Sequence, residues 1–377
     1  MKIEHFGSFF SLDTTSIPNE LFLRLCHELS FSYRDLDIFR GEIATYTKSL
    51  YELCNNFMLI PQGFLKRVTK MLEEAGITYT VQYSSDVPNC PVPDWTNLAD
   101  SQFRPLQKDC LEAIVARFDE RGGGVVIAPP AFGKSHLISF LCQLYPNAKI
   151  DVVSKHREIL LSIYNLLLPK TPDIGLITSG VGKQRGYGRV TFYTANSLHH
   201  STYEADILIL DEVHELVTDF YISRLSRYRT PHVLGLTATA NTRFDNLHCS
   251  IEGLCGPILR RYSYQEVQES GLVVPILVQW IEVDGENPIE FIDNLVLRKK
   301  YGIWTNDYRN QLIATAAKGY YDAGFQTLVL VETIEHALHL QRFLPEFTVC
   351  YAGNSDEGKF PEELGYKPIS PQKRDEL

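Results

Sequence analysis

The sequence lacks the signals that direct a protein into or across a membrane. No apolar run approaches the roughly 20 residues that a transmembrane helix needs. Residues 1–6 also lack the apolar segment and the cleavage site of a secretory signal peptide. Without such a peptide, the last four residues, RDEL, match an endoplasmic-reticulum retrieval signal only by coincidence. We therefore expect a cytoplasmic protein that has no membrane partner.

Cysteine pairs of the kind that bind zinc are also missing. The eight cysteines are scattered, and none forms a Cys-x-x-Cys pair. Cys249 and Cys255 are the closest two, but neither a second pair nor a histidine cluster lies at zinc-binding spacing. His199 and His200 have no ligand partners nearby in the sequence. The pattern indicates buried thiols in a reducing compartment.

An excess of positive charge is the third missing feature. The net charge is −10, from 36 Lys and Arg residues against 46 Asp and Glu residues. This balance argues against a protein that coats nucleic acid by bulk electrostatics, but it leaves open a basic groove on an acidic body. With 377 residues and 44% hydrophobic content, the chain has enough material for two or three domains.

The pattern along the chain predicts three domains. Residues 1–98 combine helical spacing with a partly alternating segment, which is typical of a small α+β domain, and three prolines in 87–93 favour a linker. Residues 99–283 repeat a strand–loop–helix order. Residues 284–377 begin another α/β domain, and their polar end, 359–377, is expected to be poorly ordered.

The predicted strands of the middle domain are near-continuous apolar runs. Such runs, alternating with helices, indicate an α/β fold whose parallel sheet is covered on both faces. Ligands of these sheets bind at the carboxyl ends of the strands. We predict strands at Gly124–Ala128, Ile150–Ser154, Ile174–Thr178, Val190–Thr194, Ile207–Leu210 and Val233–Leu236 in the middle domain, and at Thr327–Val331 and Phe347–Tyr351 in the last.

Residues 128–135 (APPAFGKS) resemble a phosphate-binding loop, Gly-x-x-x-x-Gly-Lys-Ser/Thr, in which Ala128 replaces the first glycine. Gly133 would allow close backbone approach, Lys134 would reach the β- and γ-phosphates, and Ser135 would bind Mg²⁺. The loop lies between a predicted strand and an apolar helix, whose N-terminus favours anions. The alternative is a Gly-Lys-Ser turn without a ligand. We expect ATP and Mg²⁺ as cofactors.

Two adjacent carboxylates follow the apolar strand at 207–210. Asp211 and Glu212 need a partner if they are buried, and Mg²⁺ is one such partner. Asp211 would hold the metal, and Glu212 would orient and deprotonate the attacking water. The alternative is a helix N-cap followed by a first-turn acid. The phosphate-binding loop upstream favours the catalytic interpretation.

Several further segments, in the correct order, make the chain resemble the superfamily 2 helicases. The resemblance spans about residues 103–354 and implies two RecA-like domains, the second partial. The segments are 103–107 (FRPLQ), similar to an adenine-reading segment; 152–157 (VVSKHR), similar to motif Ia; 194–196 (TAN); 211–214 (DEVH), a DExH box; 235–240 (GLTATA), similar to the Ser/Thr-Ala-Thr motif; and 328–332 (LVLVE), similar to motif IV.

The resemblance implies a role for each matching residue at the nucleotide site. Gln107 would read adenine, with Phe103 packing nearby. Lys134, Asp211 and Glu212 would be catalytic, and Ser135 and Asp211 would hold the metal. Four loop residues would bind ATP: Ala131, Gly133, Lys134 and Ser135. Four others would couple the nucleotide state to the nucleic acid: His214, Thr237, Ala238 and Thr239.

The resemblance also implies a nucleic-acid track. Contacts to the sugar–phosphate backbone suit a motor that does not read sequence. For the three charged residues of the track, the alternative is a solvated helix start. A glycine-rich basic loop, 180–189, either contacts nucleic acid as well or has no such role. The implied track residues are Ser154, Lys155, His156, Arg157, Thr194 and Asn196.

The N-terminal block carries a second resemblance, to the accessory domain of some phage branched-DNA helicases. It rests on Arg40 and Gly41, Ser49–Tyr51, and Leu59–Gly63 followed by a helix. The resemblance implies a role in engaging a DNA branch, and a phage-infected or bacterial cytoplasm as the location. The alternative is a packing domain that makes no contact with nucleic acid.

Motifs V and VI of superfamily 2 motors have no counterpart after Asn354, and Arg374 lies in the wrong setting for an arginine finger. Since such a finger contributes about 10³ to 10⁵ in rate, we expect the 377-residue chain to bind ATP and hydrolyse it poorly. Three explanations are compatible with the missing motifs: a truncated chain, a partner that supplies them, or a protein that has become a regulated binder.

The sequence thus predicts an ATP-dependent nucleic-acid motor, with DNA favoured over RNA because the FRPLQ segment and motif Ia resemble the DNA-directed branch. One alternative is the motor subunit of a restriction or defence system. The other is a nucleotide-dependent nucleic-acid binding protein that does not hydrolyse ATP.

Overall fold

The computed structural model describes residues 1–37, 42–171, 173–178, 186–239, 249–283, 289 and 291–350. The predicted tail at 359–377, Arg374, Arg40 and Gly41, and residues 180–185 of the basic loop lie outside the described residues. The chain divides into two compact units, Met1–Ile276 and one that begins at Leu277. The first unit contains two separate sheets, and the three predicted domain boundaries stay a prediction.

Every strand in the described residues lies in the first unit. In chain order the strands are β1 (Lys2–His5), β2 (Phe9–Asp13), β3 (Ser30–Asp37), β4 (Glu42–Ser49), β5 (Glu52–Cys54), β6 (Phe57–Pro61), β7 (Thr80–Tyr83), β8 (Gly124–Ile127), β9 (Ile150–Ser154), β10 (Ile174–Ile177), β11 (Val190–Thr194), β12 (Ile207–Asp211), β13 (Val233–Thr237) and β14 (Ile258–Arg261).

Helices occur in both units, and none of the described ones is long and apolar enough to cross a membrane. The first unit holds α1 (Asn19–Glu28), α2 (Leu65–Glu74), α3 (Gln107–Asp119), α4 (Lys134–Leu144), α5 (Arg157–Leu167), α6 (Asp219–Leu225), α7 (Cys249–Cys255) and α8 (Tyr264–Glu269). The second holds α9 (Leu295–Lys299), α10 (Asp307–Asp322) and α11 (Ile334–Gln341), with a π-helical turn at Lys300–Trp304.

The larger sheet has seven strands in the order β10-β11-β9-β12-β13-β8-β14, and every neighbouring pair is parallel. Its central strands are buried throughout, because helices cover both faces and form two apolar clusters. All six strands predicted for this region are present, within one residue at each end. The predicted α/β fold with a parallel sheet is therefore confirmed.

β14 is the strand that the sequence analysis missed. Its residues, Ile258–Arg261, include two arginines and are only partly buried, since β14 forms the edge of the sheet beside β8. An edge strand needs no continuous apolar run, so its pattern did not stand out. Arg260 contacts Asp109 of α3 through two hydrogen bonds of 2.8 and 3.0 Å, which ties this edge to a helix.

The N-terminal sheet has five strands in the order β5-β6-β2-β1-β7, antiparallel except for the parallel pair β1 and β7. Helices α1 and α2 lie against it, and their apolar residues share one core with the sheet. Beside it, β3 and β4 pair only with each other, as a two-stranded antiparallel ribbon. The predicted small α+β region is therefore present.

The N-terminal sheet packs directly on the larger sheet's helix α7. At Gly63, a Cβ atom would lie 1.8 Å from the Glu252 carbonyl oxygen, so only glycine permits this approach. The Gln62 amide donates to the Leu254 carbonyl at 3.2 Å, and Arg67 forms an ion pair with Glu252. These contacts explain why residues 1–276 form one compact unit.

The second unit has a small core in which α10 and α11 meet. Buried Asn310 of α10 contacts α11, since its Oδ1 lies 3.0 Å from Nε2 of His336. The strands expected at 327–331 and 347–351 are not assigned in the described residues, because no neighbouring strand there supplies a ladder of hydrogen bonds. Leu328 and Leu330 are 80% and 84% exposed, whereas Val329 and Val331 pack on the core.

A buried carboxyl in the larger sheet predicts a pH-dependent stability. Burial raises the pKa of Asp151 to about 6, although its carboxylate accepts hydrogen bonds from Tyr228 at 2.6 Å and Ser201 at 3.3 Å. Between pH 5 and pH 7 the folded state loses a proton that the unfolded state has already released. The free energy of unfolding should therefore fall by about 1 kcal/mol as the pH rises through this window.

Asp151→Asn should remove this contribution, because the amide does not titrate, whereas Asp211, whose pKa burial also raises to about 6, should keep its own. The measurement is urea unfolding at pH 5 and pH 7, with Asp119→Asn, at an exposed position of the same unit, as the matched control. An Asp151→Asn variant that keeps the wild-type pH dependence would show that Asp151 is not its source.

Candidate nucleotide-binding site

The predicted site residues follow five neighbouring strands of one parallel sheet. Because the strands are parallel, the segments that leave β8, β9, β11, β12 and β13 all emerge at the same edge. These segments carry the phosphate-binding loop, motif Ia, the TAN segment, the acidic pair and the Thr-Ala-Thr segment, in that order along the chain. The fold therefore brings together residues that lie up to about a hundred positions apart in the sequence.

The phosphate-binding loop has the backbone that its sequence predicts. Gly133 has φ +94°, and α4 begins at the next residue, with no side chain capping its N-terminus. A Cβ on Gly133 would lie 2.4 Å from the Gln107 amide nitrogen. The exposed Ala131 also has positive φ, +67°. The first backbone N–H groups of α4 are thus available to an anion.

Lys134 bridges the loop and the acidic pair. Its Nζ donates to the Ala128 carbonyl at 3.2 Å and lies 3.4 Å from Oε1 of Glu212. Ser135, the next residue, is partly buried in the first turn of α4. An ammonium group between a carbonyl and a carboxylate can exchange these partners for phosphate oxygens. Lys134 is therefore placed to grip a nucleotide without rebuilding the loop.

The segment predicted to read adenine lies against the loop. Gln107 is fully buried, its amide nitrogen donates to the Phe132 carbonyl at 2.9 Å, and its amide oxygen accepts from the Arg104 backbone N–H at 3.1 Å. Phe103 packs edge-on against Phe140, with ring centroids 5.0 Å apart. Gln107 therefore fixes the loop in this structure, and adenine reading by Gln107 stays a prediction.

The acidic pair ends the central strand β12. Asp211 is buried, and Ser154 lies 3.5 Å from its Oδ2. Burial, together with the neighbouring Glu212 carboxylate, raises the pKa of Asp211 to about 6, and Lys134 partly opposes that rise. Glu212 adopts a left-handed conformation with φ +47°, which is rare outside glycine and often marks functional sites.

His214 joins the acidic pair to the Thr-Ala-Thr segment. Its Nδ1 lies 2.8 Å from the Thr237 hydroxyl and 3.4 Å from Oε2 of Glu212. The Thr237 hydroxyl in turn accepts from the Thr239 N–H at 3.1 Å, across Ala238. A continuous set of contacts thus runs from Lys134 through Glu212 and His214 to the end of β13, as the predicted coupling role requires.

The six residues predicted for the nucleic-acid track divide into two groups. Ser154 and Thr194 are buried, and Thr194 lies 2.9 Å from the Ser197 hydroxyl, so the structure does not offer their hydroxyls to a phosphate. Each is the last residue of a buried strand, and a contact of either residue with the nucleic-acid backbone stays a prediction. The other four are exposed: Lys155, His156, Arg157 and Asn196.

Sequence reasoning missed three residues that shape the site. The Phe132 ring is buried and stacks on Tyr262, with centroids 4.8 Å apart, which anchors the loop from below. Glu215 lies 2.6 Å from Nε2 of His156, linking the DExH segment to motif Ia. These aromatic and acidic residues follow no sequence spacing that marks a functional site. Their partners become apparent only once the strands are paired in the fold.

The residues present fit a Mg²⁺ ion bound together with nucleotide phosphates. Among the described residues there is no group of three or more His, Cys, Asp or Glu side chains that could hold a metal alone. Mg²⁺ at phosphate sites needs only one or two protein oxygens, since phosphates and water supply the rest. Asp211 and Ser135 would provide them, and a cation would offset the burial of the Asp211 carboxylate.

The comparisons with known proteins agree with this geometry. Residues 100–242 match the family model described as "Type III restriction enzyme, res subunit". The DNA 3'-5' translocase XPB2 of Sulfurisphaera tokodaii is 28% identical over 185 residues, which cover 45% of this chain and 40% of that protein. The chain contains a superfamily 2 helicase domain. It matches about two fifths of the length of this relative.

The helicase domain also has a structural neighbour. The crystal structure of bacteriophage T4 UvsW superimposes with a TM-score of 0.51 and 16% identity, over 95% of this chain and 76% of that one. At this identity the likeness concerns the fold alone, and it supports the RecA-like assignment of the seven-stranded domain. The partial second RecA-like domain stays a prediction.

Gly133→Ala tests the helicase domain's phosphate-binding loop. The substitution forces an unfavourable φ and places a methyl group against the Gln107 amide. We expect the affinity for a fluorescent ATP analogue to fall at least about tenfold, which corresponds to roughly 1.4 kcal/mol.

The matched control is Gly76→Ala. Gly76 also has positive φ, +70°, but a Cβ there would meet nothing within 4 Å. Both variants carry backbone strain, and only the first touches the loop. Equal affinities in an equilibrium titration, with unchanged circular dichroism, would contradict the assignment of the loop as the nucleotide site.

Proposed function

We propose that the chain is the ATP-binding part of a DNA-directed, ATP-dependent translocase that acts on branched DNA in replication, recombination or repair. The observation that carries the proposal is the position of Lys134 Nζ, 3.2 Å from the Ala128 carbonyl and 3.4 Å from the catalytic candidate Glu212. Lys134 thus lies between the uncapped N-terminus of α4 and the acidic pair, at one edge of the sheet.

The proposed mechanism begins with an exchange of partners at Lys134. Incoming β- and γ-phosphates take the place of the Ala128 carbonyl and Glu212, and the N–H groups of α4 bind the same oxygens. Ser135 and Asp211 would hold a bound Mg²⁺, which would neutralise part of the phosphate charge. Glu212, released from Lys134, then orients a water molecule and accepts its proton.

Coupling to movement runs through His214. Its ring nitrogen lies between Glu212 and the Thr237 hydroxyl, so a change in the position or charge of Glu212 alters that hydrogen bond. Thr237 holds the turn at Thr239. The nucleotide state is thereby transmitted from β12 to β13, at the edge of the sheet that also carries the exposed residues of the proposed nucleic-acid track.

DNA is proposed as the track for two reasons. One relative bears the name DNA 3'-5' translocase, and the FRPLQ segment resembles the DNA-directed branch. The exposed Lys155 and Arg157 are suited to phosphate contacts that carry no sequence information. A cytoplasmic location and the need for a further segment or partner that supplies motifs V and VI remain part of this proposal.

The family description favours one alternative, the motor subunit of a restriction or defence system. That alternative shares the nucleotide chemistry and differs in requiring a nuclease or methyltransferase on a partner or another segment. Cleavage or methylation of DNA only in the presence of a co-purified partner would support it. The other alternative is a nucleotide-dependent nucleic-acid binding protein that does not hydrolyse ATP. For such a protein, nucleic acid should not stimulate ATP hydrolysis.

Lys134→Ala tests the motor assignment. Loss of the ammonium group removes the main positive charge that faces the phosphates, so DNA-stimulated hydrolysis should fall by roughly 10² or more. The measurement is phosphate release with branched DNA, single-stranded DNA and RNA, alongside binding of the ATP analogue. Lys170→Ala, which removes an exposed lysine of the same unit, is the control.

Three results would separate the alternatives. Stimulation by RNA alone would exclude the DNA assignment. Wild-type nucleotide binding without any stimulated hydrolysis would favour the non-hydrolysing binder. Hydrolysis that survives Lys134→Ala unchanged would contradict the whole nucleotide site.

A further inference from the structure

We propose that α6 and the β3–β4 ribbon form a second nucleic-acid surface, on which unpaired bases of a branched substrate stack. We call it the aromatic stripe and define it by Tyr33, Tyr46, Phe220, Tyr221 and Arg224. The inference rests on the proposed function and extends it, since none of these residues belongs to a motif of the predicted track.

The ribbon supplies one end of the stripe. Tyr33 and Tyr46 lie directly opposite each other, and their rings stack at 5.7 Å with an interplanar angle of 30°. Phe31 lies on the same face, 6.2 Å from Tyr33. Such pairs stabilise a two-stranded ribbon, but Tyr46 remains 38% exposed. A stacked pair of rings, one exposed and one partly buried, is also a platform for a nucleobase.

Helix α6 supplies the other end. The Arg224 guanidinium lies 3.7 Å from the centroid of the Phe220 ring, and its Nη1 donates to the Phe220 carbonyl at 3.2 Å. This pairing fixes the ring, which nevertheless keeps 53% of its surface exposed. Tyr221 packs edge-on beside Phe220, with centroids 5.2 Å apart. An aromatic ring held by an arginine combines stacking with positive charge.

One contact joins the ribbon to α6, and a second joins α6 to the proposed track. Lys48, at the base of the ribbon, forms an ion pair with Asp219, the first residue of α6. The Tyr221 hydroxyl donates to Oδ1 of the exposed Asn196 at 3.0 Å. Asn196 follows β11, which pairs with β9 so that Thr194 lies opposite Ser154, next to Lys155. The stripe therefore continues from the edge that carries the track residues.

Charge favours nucleic acid over a protein partner as the occupant. Residues 219–229 contain three arginines and one aspartate, although the whole chain has a net charge of −10. Arg229 forms an ion pair with Asp86, and Asp219 forms one with Lys48, so the local excess of positive charge comes from Arg224 and Arg227. Phosphates beside stacked bases match this local excess of positive charge.

The experiment compares binding of a forked DNA bearing one single-stranded arm with binding of a blunt duplex of the same length. Phe220→Ala should weaken fork binding about tenfold, because stacking of a base on an aromatic ring is lost. Phe220→Trp should retain it within about twofold, and Tyr46→Ala should weaken it as well. Duplex binding should not change, since its bases are not available for stacking.

Phe57→Ala is the matched control. Phe57 is another exposed phenylalanine of the same unit, 47% accessible, on β6 of the N-terminal sheet. A 2-aminopurine placed in the arm reports stacking directly: its fluorescence should be quenched by the wild type and less so by Phe220→Ala. Binding of the ATP analogue, expected to be unchanged in all variants, verifies the fold.

The outcomes are distinguishable. Equal fork affinities of wild type, Phe220→Ala and Tyr46→Ala would overturn the aromatic stripe and leave the proposed function intact. Equal losses on fork and duplex would overturn base stacking in favour of a charge effect. Absence of any nucleic-acid binding by the wild type would overturn the proposed function and the stripe together.

Discussion

Parallel pairing of the seven strands is the constraint on which the site depends. Each strand enters the sheet from the same side, so each following loop leaves at the same edge. Neither the phosphate-binding loop nor the DExH segment has a neighbour in sequence that could complete it. The sheet brings them together, and Lys134 then lies within 3.4 Å of a carboxylate 78 positions away in the chain.

Burial determines the electrostatics of Asp211 in the acidic pair. A carboxylate at the end of a central strand is desolvated, which explains why the pKa of Asp211 is raised and why its stable ionised form needs a cation. The strained Glu212 and the contacts of His214 with Glu212 and Thr237 are held by the same strand ends. The contacts that form the nucleotide site therefore also connect Glu212, through His214, to Thr237 at the end of β13.

The N-terminal sheet is docked on α7 at Gly63, where only glycine lets the two backbones approach so closely. Its ribbon is linked to α6 by Lys48 and Asp219. A nucleic-acid strand held at both the sheet edge and the ribbon would thus contact parts of one compact unit. A role of the N-terminal sheet in substrate engagement, as opposed to packing alone, stays a proposal.

The middle sheet could be predicted from sequence because its strands are buried on both faces and read as continuous apolar runs. Most of the N-terminal strands and β14 could not, since none has a long continuous apolar run and β14 carries two arginines at the edge of its sheet. Motif order located the loop and the acidic pair, but it could not show that Ser154 and Thr194 point into the interior. It also could not show that Gln107 bonds the loop, because those facts depend on tertiary contacts.

Amide hydrogen exchange with and without Mg²⁺ and a non-hydrolysable ATP analogue tests the central claim most directly. The account predicts that the nucleotide slows exchange at residues 131–137, where the loop enters α4, and at 211–215, where β12 ends. Slowing at both segments together, though they are distant in sequence, would show that one ligand spans them. Unchanged exchange at both, under conditions where the nucleotide binds, would contradict the account.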